Sequence, residues 1–550
     1  MLSGCVPWPE AFARRYREQG YWRGISLFEM LRQAAARTPG KAALIDGGRR
    51  LSYAELVSES EDLAAGLVAL GLRPMERVIF QFSNGLELMV AFFALLRAGV
   101  IPVMALPAHR RSEIGHWVEH AGAVAHFIPA ATPKFDYVAM ARSVAADHPG
   151  IRHIVTAGLA DAGVTGLDAL CAQGRQARRQ SAAASIALPD PAADEVALML
   201  LSGGTTGMPK LIPRTHNDYV YVATQTGIIT GFGPDTVFLA VLPMAHNYTL
   251  DCPGVLGTLV HGGTAVVAQG TTAETVFAAI ARERVTAIGA TVPLVAKWLD
   301  SGEFGRHDLS SLRVFINGGA KLPPELRRRV EERFGCEYQE NFGTGEGLVS
   351  ITRLGDPESV RFLSSGRPVS EGDEIKVIDE HGNELPEGQI GELAARGPYT
   401  IRGYYKADAA NRDAFTEDGF YRMGDIVRVV DGYLYLEGRR KDLINRGGEK
   451  ISCEEVEDYI LAHPKIMSVC VVAMPDAAFG EKACAFAILR DGCALTHEEL
   501  VAFLERRDIA RFKLPERLEI VNEFPISPAG KILRRDLRAR IAQQLQSECR

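Results

Sequence analysis

Through roughly the first 430 residues, short apolar runs alternate with segments of helical period, and this rhythm limits the fold more than any other feature. Arg77 to Phe82 and Val100 to Ala105 read as buried strands, with the helix Leu86 to Ala98 between them. The order recurs at Thr264 to Ala268, Ala273 to Glu283 and Ala287 to Thr291, and again at Val314 to Asn317 and Pro323 to Phe334. Ser26 to Arg37 and Tyr53 to Leu70 carry apolar residues at helical spacing, with a short strand, Ala42 to Ile45, between them. Strands that are apolar throughout and joined by helices need cover on both faces. The spacing therefore predicts an α/β fold of parallel-rich sheets flanked by helices. A loose connector is expected over residues 183–192, ahead of the apolar strand Val196 to Leu201. After Pro386 come short strands with turn signals, including a hairpin over Val427 to Leu436. Beyond it a smaller α+β segment begins, which sets the expected domains at 1–438 and 439–550.

At 550 residues the chain is too long for one core, which agrees with two domains. Its net charge of −7 argues against nucleic-acid binding, which needs a basic face. The longest apolar candidate, Leu88 to Leu96, stops at Arg97, far short of the ~20 residues a membrane span requires. It reads as a buried helix. Met1 to Arg14 lacks a basic region followed by an apolar one, so no signal peptide is expected. The nine cysteines form no Cys-x-x-Cys, and their scatter suits reduced thiols in the cytoplasm.

Four segments carry possible chemistry. Ser202-Gly203-Gly204-Thr205-Thr206-Gly207 follows a buried strand, with Lys210 just beyond. Glycines and hydroxyls there let a phosphate approach open backbone N–H groups. The Gly-Lys-Ser/Thr ending of a Walker loop is absent, and a flexible surface turn has the same composition. In Asn341-Phe342-Gly343-Thr344-Gly345-Glu346-Gly347, Glu346 sits in a glycine-rich turn, where it could face phosphate-bound Mg²⁺ or simply be solvated. Asp425, after Gly424 at a strand end, could accept from both ribose hydroxyls or serve a turn. Lys531 follows the stiff Pro525-Ile526-Ser527-Pro528-Ala529-Gly530 loop, which could present it to an anion.

Taken in this order, with Gly438-Arg439-Arg440-Lys441 between the last two, these segments resemble the adenylate-forming superfamily over nearly the whole chain. A finer resemblance, to stand-alone aryl acid–AMP ligases of siderophore and related nonribosomal peptide pathways, rests on four further segments. These are Trp8-Pro9-Glu10 with Tyr21-Trp22, Ala245-His246-Asn247-Tyr248, Gly397 to Tyr405, and Asn445 to Lys450. The resemblance implies a large N-terminal domain that includes a distorted β-barrel, and a small mobile C-terminal domain. It implies ATP and Mg²⁺ as cofactors. The implied reaction joins an aryl acid to AMP, releases pyrophosphate, and passes the acyl group to the phosphopantetheine thiol of an aryl carrier protein.

The same resemblance assigns roles. Ser202 to Gly207 and Lys210 would hold the β- and γ-phosphates, and Glu346 would hold Mg²⁺. Asp425 would hold the ribose, Arg439 would reach the ribose or the phosphates, and Asn341 and Phe342 would lie against the base, with Gly343 and Thr344 beside them. Gly318, Gly319 and Ala320 would line the adenine and aryl sites. Lys531 would bridge the carboxylate and the α-phosphate, and Lys441 would be the hinge. His246 could meet the substrate carboxylate or be a packed strand-end histidine. Two departures stand out: Gly345, where Ala or Thr is usual, suggests a more flexible turn, and Asp251 precedes Cys252.

For the acid itself, Asn247 replaces the Asp that pairs with an amino group in amino-acid-activating relatives, which favours a 2-hydroxybenzoate. Tyr248 and Val349 would flank the ring. Cys252, a weak hydrogen-bond partner, favours salicylate over 2,3-dihydroxybenzoate. Asp251 leaves a third option open, an acid with a ring nitrogen or amino group, which falls if Asp251 faces away from the pocket. Lys531, Arg534, Arg535, Arg538 and Arg540 form either a basic patch for an acidic carrier or a solvated helix face. A fatty acyl–CoA ligase would need a long apolar tunnel, which Asn247-Tyr248 would wall poorly.

Overall fold

The computed structural model describes the chain except residues 131, 181–187, 203–208, 440–441, 448, 508, 528–530, 549–550 and the side chain of residue 450. The expected connector therefore lies partly outside the described residues, as do Gly203 to Gly207 and Lys441.

Among the described residues, two large sheets dominate the N-terminal part. One has nine strands in the order Arg367–Pro368, Gly347–Ile351, Glu337–Thr344, Val314–Gly318, Ala287–Ala290, Val237–Ala240, Thr264–Val267, Ala42–Asp46 and Arg49–Ser52. Its centre is parallel and its edges antiparallel. The other has seven strands in the order Thr165–Gly166, His153–Thr156, Ala123–Ile128, Arg77–Phe80, Ile101–Met104, Val196–Leu201 and Leu211–Thr215, parallel except for the last. The predicted helix Tyr53–Leu70 forms over the expected span, closed by a Ser52/Glu55 capping box and by left-handed Gly71. In the helix Leu86–Arg97 ten of twelve residues are buried, so its apolar run is explained by packing on all sides. Among the described residues no helix is long and apolar enough to cross a membrane.

The expected barrel segment is an antiparallel sheet of Glu374–Ile378, Gly391–Arg396, Tyr421–Val430 and Tyr433–Arg439. Backbone hydrogen bonds between Leu434 and both Ser365 and Gly366 close it against the edge of the nine-stranded sheet. The last 100 or so residues fold as a five-stranded sheet with the helices Cys453–Leu461, His497–Glu505 and Arg534–Glu548. The last helix begins at Arg534, because Ile532 bridges Ile526 as extended backbone. Two of the five basic residues named for a patch are engaged within this lobe. Arg534 bonds Glu457 and the Val471 carbonyl, and Arg538 bonds Asp442, so both fasten this helix to its own domain.

Among the described residues, ion pairs join this C-terminal lobe to the large one. Lys321 lies 3.6 Å from Asp458, and Asp300 joins Arg329 of the large lobe to Arg490 of the small one.

Candidate functional site

The site lies where the C-terminal ends of the central parallel strands meet the small lobe, the usual place for a ligand crevice in an open α/β sheet. Strand Val196–Leu201 ends at buried Ser202, whose N–H donates to the Lys210 carbonyl while its Oγ accepts from the Lys210 N–H. These two bonds close the base of the 203–208 segment. The Lys210 ammonium lies 4.6 Å from the centre of the Tyr404 ring.

Glu346 sits in a turn, as expected, and the residues before it, Asn341 to Thr344, are extended. They end the strand Glu337–Thr344, which turns at Gly345-Glu346 into Gly347–Ile351. Cross-strand pairing absorbs the glycines, and a Cβ on Gly347 would stand 2.4 Å from the Thr400 Cα. The turn is not made flexible by Gly345. The guanidinium of buried Arg214 donates to the Gly345 carbonyl at 2.9 Å, and a Cβ there would come within 3.0 Å of Ile212. Glu346 is 6% exposed, and its Oε1 accepts from the Tyr404 hydroxyl at 2.8 Å.

Asp425 does not end a strand either. It sits inside Tyr421–Val430, paired with Arg439 on the neighbouring strand, and its Oδ1 accepts from Arg439 Nε at 3.0 Å. Its Oδ2 is buried without a partner among the described residues. An acceptor left dry costs about 1–3 kcal/mol, which a ribose hydroxyl would relieve. Burial raises the Asp425 carboxyl above its ordinary range, opposed by Arg439. The described residues contain no cluster of three or more metal-ligating side chains.

Lys531 enters this cleft from the small lobe. Ser527 and Lys531 clasp each other through the Ser527 N–H to Lys531 carbonyl bond and the Lys531 N–H to Ser527 Oγ bond. The Lys531 Cε lies 3.4 Å from where a Cβ on Gly319 would stand, a tight approach over a glycine at φ +90°. Burial, then Arg439, pushes the Lys531 ammonium down to about 8, against the opposing pull of Asp425 and Glu346. His246 begins the helix Asn247–Asp251, with its Nδ1 accepting from the Tyr248 N–H. Burial and the nearby Lys531 push it down to about 4, so its imidazole is neutral at pH 7.

The aryl candidates gather on the other side of His246. Tyr248 donates to the Ile316 carbonyl at 3.0 Å, and its ring lies where a Cβ on Gly318 would come within 2.6 Å. Cys252 is buried beside it, and Phe238, Gly289 and Ile316 complete a small cavity behind Tyr248. Burial raises the Cys252 thiol, so it stays neutral. The Asn341 amide donates to the Cys252 carbonyl at 2.6 Å and ties the strand end to the aryl turn. Phe342 is partly exposed and Gly343 exposed at the cleft edge, opposite buried Val349. Asp251 is fully buried with neither carboxylate oxygen partnered among the described residues. Arg214 and Asp218 are the charges that act on it, and it does not line the cavity behind Tyr248.

Sequence reading missed Tyr404, Arg214 and Tyr219. Tyr404 lies within the Gly397 to Tyr405 segment, and Arg214 stands four residues before Asp218, a salt-bridge spacing that was available to be read.

Comparison with known proteins places this geometry. The model of the AMP-binding enzyme family matches residues 31–405, and that of the AMP-binding enzyme C-terminal domain matches 455–531. A 2,3-dihydroxybenzoate-AMP ligase of Bacillus subtilis is 45% identical over 99% of both chains. A salicyl-AMP ligase / salicyl-S-ArCP synthetase of Mycobacterium tuberculosis is 44% identical over 97% of this chain and 94% of its own. Among solved structures, apo MbtA of Mycobacterium smegmatis matches with a TM-score of 0.74 at 40% identity, covering 98% of this chain and 99% of that one.

Proposed function

The chain belongs to the AMP-binding enzyme family, and on that premise we propose that it adenylates an aryl acid, salicylate first, and passes the acyl group to a carrier-protein thiol. The observation that supports this most is Lys531 seated over Gly319, within electrostatic reach of His246, Asp425 and Glu346.

In the reaction a carboxylate oxygen of the acid attacks the α-phosphorus of ATP, the bond to pyrophosphate breaks, and aryl-AMP remains. Little covalent work falls to side chains, so positioning and charge stabilisation dominate. Lys531 bridges the acid carboxylate and the α-phosphate as charge develops. Asp425 accepts from the ribose hydroxyls through its free Oδ2, and Arg439 steadies Asp425. Ser202 to Gly207 and Lys210 take the outer phosphates, and Phe342 takes the base. Glu346, oriented by Tyr404, is the ligand for magnesium, which when bound neutralises the outer phosphates. Asn247, Tyr248, Cys252, Gly318 and Val349 surround the ring. His246, neutral, meets the substrate carboxylate.

For thiol transfer the small lobe turns about Lys441, with the boundary at 438/439, and withdraws Lys531. The acceptor we favour is a phosphopantetheine carrier, supported by the thioester product in the name of the Mycobacterium tuberculosis relative. The reaction is placed in the cytoplasm, supported by the unpaired state of the described cysteines. A second reading, 2,3-dihydroxybenzoate as the acid, is favoured by the Bacillus subtilis relative. ATP–pyrophosphate exchange over salicylate, 2,3-dihydroxybenzoate, benzoate, anthranilate and long-chain acids tests the proposal. Salicylate is expected to support the fastest exchange, and exchange with long-chain acids alone would overturn the reading.

A further inference from the structure

Beneath the aryl residues lies a buried group that none of these roles uses. Tyr219, on the helix His216–Ile229, is 0% exposed, and its hydroxyl donates to Asn247 Oδ1 at 2.8 Å. A buried phenol needs an acceptor. Asp251, one helical turn beyond Asn247 on the same face, acts electrostatically on Tyr219, yet neither of its oxygens takes the hydrogen bond. Asn247 Oδ1 takes it. Tyr219 is itself immobilised, with the Arg214 guanidinium 4.9 Å from its ring centre and Arg214 paired to Asp218 at 2.9 Å.

This bond determines which end of the Asn247 amide is free. With Oδ1 held by Tyr219, the NH₂ group is left, and its contact is the Cys252 sulfur at 3.6 Å, a weak acceptor that a better one displaces. We propose that Tyr219 is a positioning residue that fixes Asn247 with its NH₂ group toward the acid. The pocket then selects aryl acids carrying a hydrogen-bond acceptor ortho to the carboxylate. A phenol oxygen qualifies, because its own proton can go to the neighbouring carboxylate. An ortho amine, which offers N–H donors and only a delocalised lone pair, does not. The inference deepens the proposed function and rests on its placing of Asn247 against the acid.

The test compares kcat/KM for exchange with salicylate, benzoate and anthranilate in two variants. Tyr219→Phe keeps the ring and removes the donor. Its salicylate-to-benzoate ratio is expected to fall about fivefold to tenfold, the worth of one hydrogen bond, with KM for ATP unchanged. Asn247→Asp keeps an acceptor for Tyr219 and turns a second acceptor toward the acid, so preference should move from salicylate to anthranilate. An unchanged ratio in folded Tyr219→Phe, or an equal loss with both acids, overturns the proposal. So does Asn247→Asp that keeps the wild-type order, and this second variant decides the matter should Tyr219→Phe fail to fold. Failure of the wild-type protein to exchange with any aryl acid would instead defeat the proposed function itself.

Discussion

The two ends of the cleft are built differently. The aryl end is neutral and largely self-contained: Asn247, Tyr248 and Cys252 come from one short segment and bond to Tyr219, Ile316 and one another. The nucleotide end gathers charges from distant segments, with Glu346 and Asp425 from the large lobe, Arg439 from the boundary between the lobes and Lys531 from the small lobe. Neutral hydrogen bonds hold a shape without a balance of charges. Charges in a half-dry cleft are worth more than in water, but only while every partner is in place. Specificity can therefore reside in the fixed end and rate in the assembled end.

The sharpest way to break this division is Lys531→Ala. Adenylation should fall by roughly 10²–10³, the cost of one preorganised donor, while thioester formation from supplied aryl-AMP is less affected. Pyrophosphate exchange close to the wild-type rate would refute the assignment. Next is Gly318→Ala, which places a Cβ 2.6 Å from the Tyr248 ring. Overpacking of this kind should raise KM for the acid about tenfold to a hundredfold and leave KM for ATP alone, as steady-state kinetics with each substrate varied would show. Equal rises in both would mean that the two ends are not separable.

A pH profile sharpens the contrast further. Adenylation uses Lys531 as the ammonium, which is lost as pH rises through about 8. Thus kcat/KM for the acid, which reports the free enzyme, should decline above that value by about tenfold per unit. Lys531→Arg, which stays charged, should flatten the decline, and a wild-type profile flat through this region would exclude Lys531 as the titrating group. The smallest expected effect is at the aryl end. Cys252→Ser should move the ratio of 2,3-dihydroxybenzoate to salicylate exchange upward about fivefold, the worth of one hydrogen bond. No movement would mean that residue 252 does not face the ring edge.

Much of the framework was legible because it is local. Tyr53–Leu70, Ala273–Glu283 and Val196–Leu201 run over their expected spans, each marked by its own period and caps. Errors arose where pairing outweighed composition. Asp425, expected at a strand end, lies inside a strand because Arg439 pairs with it. Arg534 and Arg538, read as a carrier patch or a solvated face, instead pair with Glu457 and Asp442.

The sequence alone determined the class of sheet, the order of the motifs and the chemical type of each candidate side chain, since these depend on periodicity and residue identity along the chain. Only the tertiary structure decided that Lys531 reaches Gly319, that Arg214 pins the turn before Glu346, and which end of the Asn247 amide is free. Each of these depends on a hydrogen bond or close approach between segments far apart in the chain, and such contacts leave no trace in local spacing.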